Sequence, residues 1–412
     1  MSTAGAQRTF VDPDEAHEII SNAVGPLPSE EVPLERAIDR ILASDFEATI
    51  DLPPFDNSAM DGFAVRAEDL KGAAAENPVK LALRETIRAG RLAQSRLEAG
   101  EAMKIMTGAP MPVGADSVVM KECSRPAPDG VELLISPKRG EHVRYHGEDV
   151  KKGDVILKAG AVLRSYEISM LASHGAADVR VIRRPKVAVA TSGDELVHHS
   201  ETPGPGQIRN SNGPALAALL RRWGAEPIPC GIAVDEEDAI RALLEDAFKR
   251  ADVLLITGGV SVGDFDLTHK VLSSLGFEAL FWKTAIKPGK PLLFGLWEGK
   301  PVFGLPGNPV SALVCTEEFV RPALERMQGK TGGPPGYHLR GKAINSYAKP
   351  GDRRQYVFCT VDRKDGNFEL NIIRPQGSAM LAMACRADAL AVAPIGVTRI
   401  DPGMELEFRW IK

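Results

Sequence analysis

The stretch from Pro185 to Gln328 constrains the fold more than any other part of the chain. Apolar runs "KVAVAT", "PIPCGIAV" and "DVLLIT" alternate with the amphipathic segments "NSNGPALAALLRRWG", "EEDAIRALLEDAFKRA" and "DFDLTHKVLSSLG". "PLLFGL", "KPVFGL" and the long helical pattern "NPVSALVCTEEFVRPALERM" complete the series. A continuous apolar run such as "KVAVAT" suits a strand covered on both faces. Strands alternating with helices give a parallel, doubly wound α/β sheet. Gly224 stops the first helix and Asp235 reads as the cap of the second. In such a sheet, ligands sit beyond the carboxyl ends of the strands.

The remaining regions differ in texture. At 412 residues the chain exceeds one ordinary core, and length alone suggests roughly two to four domains. "PDEAHEIISNAVG" reads as a helix with Asp12 as N-cap, Pro13 at its first position and Gly25 past its end, and "PLERAIDRILA" as a second, shorter one. Short apolar runs between Gly and Pro from about Leu52 to Glu141 read as a small β-rich unit inserted into this first region. "GEDVKKGDVILKAGAVLRSYEISMLASHG" returns to the first region, with a helix capped by Ser165 and ended by Gly175. From about Gly332, alternating residues and Gly and Asp turns give an all-β, barrel-like C-terminal domain. The expected fold is thus multidomain α/β: an N-terminal mixed domain (1–52 with 142–178), an inserted β-rich domain (53–141), a doubly wound α/β domain (179–328) and a C-terminal β domain (329–412).

Composition excludes several classes. A net charge of −5 supplies no basic field for nucleic acid or anionic membrane. No apolar run reaches the ~18 to 20 residues of a membrane helix, and the N-terminus has no apolar stretch of the signal-peptide kind. Five widely spaced cysteines without C-x-x-C argue against a disulfide framework or a zinc site. A reducing cytoplasm is the expected compartment.

Three strand ends carry chemistry. After "DVLLIT" comes "GGVSVGDFD", where Gly258 and Gly259 let the backbone approach a ligand, Ser261 offers a hydroxyl, and Asp264 and Asp266 stand where a helix begins. Taken alone, such a loop is explained by a tight turn and helix capping. It is neither G-x-G-x-x-G nor a P-loop. After "KVAVAT" comes "SGDEL" with Glu195. After "KPVFGL" comes "PGNPVSA": Pro306 and Pro309 stiffen the turn, Asn308 is N-cap or ligand contact, and Ser311 lies in a first helical turn, where N–H groups face anions. "WKTAIKPGKP" places Lys283, Lys287 and Lys290 on one constrained loop, which suggests a polyanionic ligand. Acids beside phosphates suggest a bridging Mg²⁺. Candidates are Glu195, Asp235 and Asp266 at strand ends, Asp149 in "YHGEDV" and Asp61 in "PPFDNSAMDGFA", although each alone reads as a cap or a solvated charge. Thr107 belongs to a stiff polar loop in "IMTGAPMPVGADSVV".

These motifs, with "GQIRNSN", occur in the order found in the MoeA family of molybdopterin molybdenumtransferases, which the chain resembles from about Pro53 to Pro322 and more weakly to its C-terminus. The resemblance implies insertion of molybdate into adenylylated molybdopterin with release of AMP, assisted by Mg²⁺. It implies functional roles for Asp61, Asp149, Glu195 and Asp266, with Asp235 as a further acid. Glu195, Asp235 and Asp266 would hold metal. Lys283, Lys287 and Lys290 match the basic cluster, Thr107 the polar loop, and Pro306, Pro309 and Ser311 the turn before the last helix. "GGVSVGDFD" would then cradle the phosphorylated pterin. It also implies a homodimer in which the second domain of one copy completes the α/β site of the other, and molybdopterin adenylyltransferase as a partner. Two departures stand out: Arg209 where relatives often have Tyr, and Phe358 near a position where many carry Arg. The C-terminal domain is given no site role, with Arg353 and Ser378 as candidates. Competing readings are molybdopterin adenylyltransferase itself, a gephyrin-like scaffold and insertion of tungstate.

Overall fold

The computed structural model describes residues 8–259, 267–330 and 333–412. The chain divides into two compact units, one of Met1–Val32, Arg36–Ala43 and Arg180–Lys412, the other of Pro33–Glu35 and Ser44–Val179.

The first unit is built on a sheet of β1 (Arg8–Val11), β2 (Lys186–Ser192), β3 (Glu226–Ala233), β4 (Val253–Thr257), β5 (Glu278–Thr284), β6 (Leu293–Trp297) and β7 (Lys300–Leu305). Their order is β1-β5-β6-β7-β4-β2-β3. Period-two alternation sorts the side chains. Val187, Val189, Val253 and Leu255 join one core, shared with helices α1 (Pro13–Ala23), α2 (Asn212–Arg222), α5 (Pro309–Cys315) and α6 (Arg321–Met327). Ala188, Ala190, Leu254 and Ile256 join the opposite core, shared with α3 (Glu237–Arg250) and α4 (Leu267–Ser274). The sheet is therefore covered on both faces, as the continuous apolar runs require.

The sheet is not wholly parallel. β6 runs antiparallel to both β5 and β7, while β7, β4, β2 and β3 are mutually parallel. The cause is the two-residue link Glu298–Gly299, with φ of 47° and 77°. Two left-handed residues make a tight hairpin, and a parallel crossover needs a dozen or more. β1 adds a further strand beside β5 that the sequence pattern did not suggest.

Three local expectations need correction. "PLERAIDRILA" forms only a 3₁₀ turn, Leu34–Arg36, and Asp39 at φ 60° bars a right-handed continuation. The helix beginning at Ser165 has Arg164, not Ser165, at its N-cap, although Gly175 closes it at φ 80° as expected. α3 starts at Glu237, so Asp235 lies outside its cap.

β8 (Leu339–Ala343), β9 (Arg354–Lys364), β10 (Asn367–Ile372), β11 (Ala389–Ala393) and β12 (Glu405–Trp410) form the C-terminal region. They pair in the order β9-β10-β8-β12-β11, and β11 returns to β9, closing a five-stranded barrel around Val357, Leu370, Ala391 and Phe408. The short strand Ile286–Lys287 pairs with Arg354 and Gln355 at the start of β9.

The second unit centres on a six-stranded sheet spanning Gly62–Val65 to Gly130–Leu133. Gly62 is required there, because a Cβ would lie 2.1 Å from the Val119 carbonyl oxygen. Among the described residues no helix is long and apolar enough to cross a membrane.

At the amino edge of the main sheet, Asp252 accepts a forked pair of bonds from Arg183, both 2.6 Å, and one of 2.9 Å from the Lys186 N–H. Burial works to raise its pKa, but these donors prevail and hold it below the ordinary value. Asp252→Asn should cost about 1.5 to 3 kcal/mol at neutral pH. Because the folded pKa is depressed, this contribution is full above pH ~4 and disappears as pH falls through the folded value. Urea unfolding of parent and variant should therefore differ at pH 7, and the difference should shrink as pH falls through the folded value.

Candidate active site

The carboxyl ends of β2, β4 and β7 meet on one rim, tied together by asparagines. Asn210 donates to Thr191 Oγ1 at 3.1 Å, and Asn212 donates to the Gly307 carbonyl at 2.8 Å and to Thr257 Oγ1 at 3.4 Å. Gly258 and Gly259 sit where these ends crowd. Their φ values are 95° and 63°, and added Cβ atoms would lie 2.0 Å from the Ser192 carbonyl oxygen and 2.3 Å from Thr268 Oγ1. The glycine pair is thus demanded by close approach of β2 and α4, whatever it binds. Ser192 Oγ, Thr268 Oγ1 and Asn212 Oδ1 are buried here without a hydrogen-bond partner among the described residues. Buried polar atoms are seldom left unpaired, so these three, among the described residues, are open to a further partner. Ser261, Asp264 and Asp266 lie outside the described residues.

Beside the glycines stand acids. Asp194 accepts from the Asp235 N–H at 2.9 Å. The Glu195 carboxylate folds over Gly193, where a Cβ would come within 2.4 Å of Oε2. Asp235 has a raised pKa, first from burial and then from the neighbouring Asp194 and Glu195 charges. Instead of capping α3, Asp235 belongs to a group of three carboxylates. Among the described residues no three acidic, His or Cys side chains converge closely enough to hold a metal ion.

The lysine loop forms a separate cleft of ≈ 400 Å³. One wall carries Lys287, Lys290, Pro306, Asn308 and Ser311. The facing wall, from the barrel, carries Arg353, Gln355, Gln376 and Ser378. Among the described residues neither Lys287 nor Lys290 forms an ion pair with a carboxylate, and Arg353 touches only the exposed Asp352, at 3.3 Å. Lys283 does not join them: its ammonium lies 3.9 Å from the Trp282 ring centroid, on a residue with φ 72°. The cleft adjoins the glycine rim through Gly307, whose Cβ would lie 3.9 Å from Gly258 Cα.

The first turn of α5 differs from expectation. The N–H groups of Val310 and Ser311 donate to the Ser378 carbonyl at 2.9 and 3.3 Å. A carbonyl from this chain therefore takes the donors that would face an anion. Asn308 holds the N-cap position, but its side chain makes no cap bond and donates to Ser378 Oγ at 3.2 Å. Pro309 occupies the first helical position. Arg353 and Ser378, which carried no assigned role, prove to be cleft residues. Sequence alone missed Gln355, Gln376 and Asn212, because nothing in their local patterns shows which side chain returns to a distant loop. It also missed Lys349, a buried lysine whose ammonium donates to the Pro394 and Val397 carbonyls and whose pKa is lowered by burial.

In the second unit, Asp61 Oδ1 accepts from both the N–H and the Oγ1 of Thr107, at 2.8 and 3.0 Å. Asp149 donates its N–H to the Leu52 carbonyl at 3.0 Å and lines an open cleft with Pro53, Arg144 and Glu148. The two Thr107 bonds, the backbone one first, lower the Asp61 pKa below its ordinary value. Thr107→Val keeps the backbone bond and removes the hydroxyl. NMR titration should show the Asp61 pKa moving up toward the ordinary range and staying below it.

Three family models match the chain in succession: "MoeA N-terminal region (domain I and II)" over residues 11–175, "Probable molybdopterin binding domain" over 188–326, and "MoeA C-terminal region (domain IV)" over 340–409. A molybdopterin molybdenumtransferase of Nostoc sp. is 38% identical over 396 residues, covering 94% of this chain and 91% of that protein. The Haemophilus influenzae enzyme of the same name is 37% identical over 370 residues, covering 89% and 90%. The crystal structure of a molybdopterin biosynthesis MoeA protein from Pyrococcus horikoshii OT3 superposes with a TM-score of 0.81 at 31% identity, covering 97% of this chain and 100% of that one. Identity at this level along nearly the whole chain, on the same fold, leaves one conclusion: the chain belongs to the MoeA family of molybdopterin molybdenumtransferases, enzymes of molybdenum-cofactor biosynthesis.

Proposed function

We propose that this chain inserts molybdate into adenylylated molybdopterin, with hydrolysis of the adenylyl phosphoanhydride and release of AMP. The observation that carries this reading is the cleft lined by Lys287, Lys290 and Arg353, in which neither lysine has a carboxylate partner among the described residues and Lys290 lies 5.4 Å from the Phe10 ring centroid. Cations left unpaired in a concave site attract an anion, and a guanidinium adds directed N–H donors. A tetrahedral dianion such as molybdate suits the charge, and the cleft of ≈ 400 Å³ has room for it. The rim at Gly258 and Gly259 adjoins that cleft, and its open backbone and spare hydroxyls suit the phosphorylated pterin. On this reading, Lys287, Lys290 and Arg353 hold the oxyanion, Ser311 and Ser378 orient it, and the rim holds the pterin beside it.

The acids supply the other part. Asp235, Asp194 and Glu195 are oxygen donors gathered at strand ends, and burial, then the charges of the other two, raises the Asp235 pKa. Asp194, Glu195 and Asp235 do not by themselves close a metal site; carboxylate oxygens are the donors Mg²⁺ takes, and Glu195 and Asp235 would hold it only together with Asp266, as the sequence motif suggests. Bound there, the ion would offset phosphate charge during hydrolysis. Asp61 and Asp149 are proposed to act from the second domain of a partner copy, in a homodimer whose site is completed in trans. The cytoplasm is the proposed compartment, with molybdopterin adenylyltransferase as the supplier of substrate.

Reconstitution tests the reading: purified protein, adenylylated molybdopterin, Mg²⁺, and molybdate or tungstate, with AMP release followed. Molybdate-dependent release is expected. Lys287→Ala should weaken the apparent molybdate affinity about tenfold or more, since a charge-assisted contact contributes about 1.5 to 3 kcal/mol. An unchanged molybdate response in the folded variant would remove Lys287 from the site, and a preference for tungstate would reassign the oxyanion. For assembly, a mixed dimer of Asp61→Ala and Glu195→Ala chains should regain activity that each homodimer lacks. A verified mixed dimer without activity would refute completion in trans.

A further inference from the structure

A short clasp joins the two walls of the lysine cleft, and its anchoring residue has no part in the function proposed above. β9 and β10 stay paired as far as Cys359 and Ile372, and the Ile373 N–H still donates to the Phe358 carbonyl at 3.0 Å. There the main-chain ladder stops, and the side chain of Gln376 takes its place. Its Nε2 donates to the Phe358 and Ile373 carbonyls, each at 2.8 Å, and its Oε1 accepts from the Phe358 N–H at 3.2 Å. Two residues on, the Ser378 carbonyl receives the N–H groups of Val310 and Ser311, and Ser378 Oγ receives Asn308 Nδ2. A continuous run of hydrogen bonds therefore leads from the barrel strand, through Gln376 and Ser378, to the first turn of α5.

We infer that Gln376 is a positioning residue for the oxyanion cleft: by fixing the 376–378 clasp to β9, it sets where Asn308 and Ser311 lie relative to Arg353 and Lys287, which the pairing of Ile286–Lys287 with the start of β9 already holds together. This rests on the reading of the cleft as the oxyanion site. The chemistry asks for glutamine. One planar group must present two donors and one acceptor within a single backbone step. Glutamate would turn a carboxylate toward two carbonyls, and asparagine is one methylene shorter. Side chains that lock a binding group from behind act in this way without touching the ligand.

The test uses two readouts on full-length Gln376→Ala and Gln376→Met. Amide hydrogen exchange at Val310 and Ser311 reports the clasp itself, independent of any ligand. Calorimetry with molybdate reports the cleft, with Lys287→Ala as a reference and Val361→Ala, lower on β9, as a control for general loosening of the barrel. We expect faster exchange at Val310 and Ser311 and a molybdate Kd raised about tenfold, the scale of cost that misplacement by a fraction of an ångström brings, with pterin affinity unchanged. Exchange at the parent rate overturns the inference. So does an unchanged Kd alongside a Lys287→Ala variant that has lost binding. If Val361→Ala, matched for melting temperature, shows the same two changes, the effect is general loosening and the inference falls. If the parent binds no molybdate, or Lys287→Ala binds like the parent, the oxyanion reading fails instead. Exchange at Val310 and Ser311 then still decides whether Gln376 holds the clasp.

Discussion

Burial of the main sheet on both faces is the constraint from which the site follows. Val187 and Val189 enter one core and Ala188 and Ala190 the other, so β2 has no face left for polar side chains. The same is true of β4. Hydroxyls and acids are displaced to the strand ends, where Thr191, Ser192 and Thr257 remain buried but reach the rim. Glycine then becomes obligatory, because the ends of β2 and β4 and the start of α4 approach too closely for a Cβ. A polar, backbone-lined rim is thus a packing consequence before it is a binding device.

Charge is distributed between two neighbouring places. Carboxylates of Asp194, Glu195 and Asp235 crowd on one side of the rim, and burial, then repulsion by the other two, raises the Asp235 pKa. Cations collect in the cleft on the other side, with Lys349 buried behind them on carbonyl oxygens.

Much of this was legible in the chain, and the reasons differ from element to element. "KVAVAT" and "DVLLIT" declared themselves by continuous apolar character, and "GGV" and "PGNP" by residues that few other contexts favour. The antiparallel β6 was also written in the text: "WEGK" leaves two residues between strands, too few for a crossover. Asp235 misled because a residue just before an amphipathic run resembles a cap, while its actual partner, Asp194, is 41 positions away. Lys283 misled because spacing along a loop does not reveal which ammonium turns to a neighbouring ring. The roles of Gln355, Gln376 and Ser378 depend on how the barrel closes, and closure joins β11 to β9 through pairings that no local pattern records.

The pairing of Ile286 and Lys287 with Arg354 and Gln355 bears on when the site comes into being. The cationic loop leaves the ribosome about seventy residues before the strand that receives it, and domains generally fold in order of synthesis. During that interval the main sheet can already form, but its core still lacks Tyr356, Phe358 and Leu390, Lys287 has no strand to pair with and the cleft lacks its second wall. The cleft should therefore be among the last features the nascent chain acquires, and a chain stalled before the barrel is made would lack it.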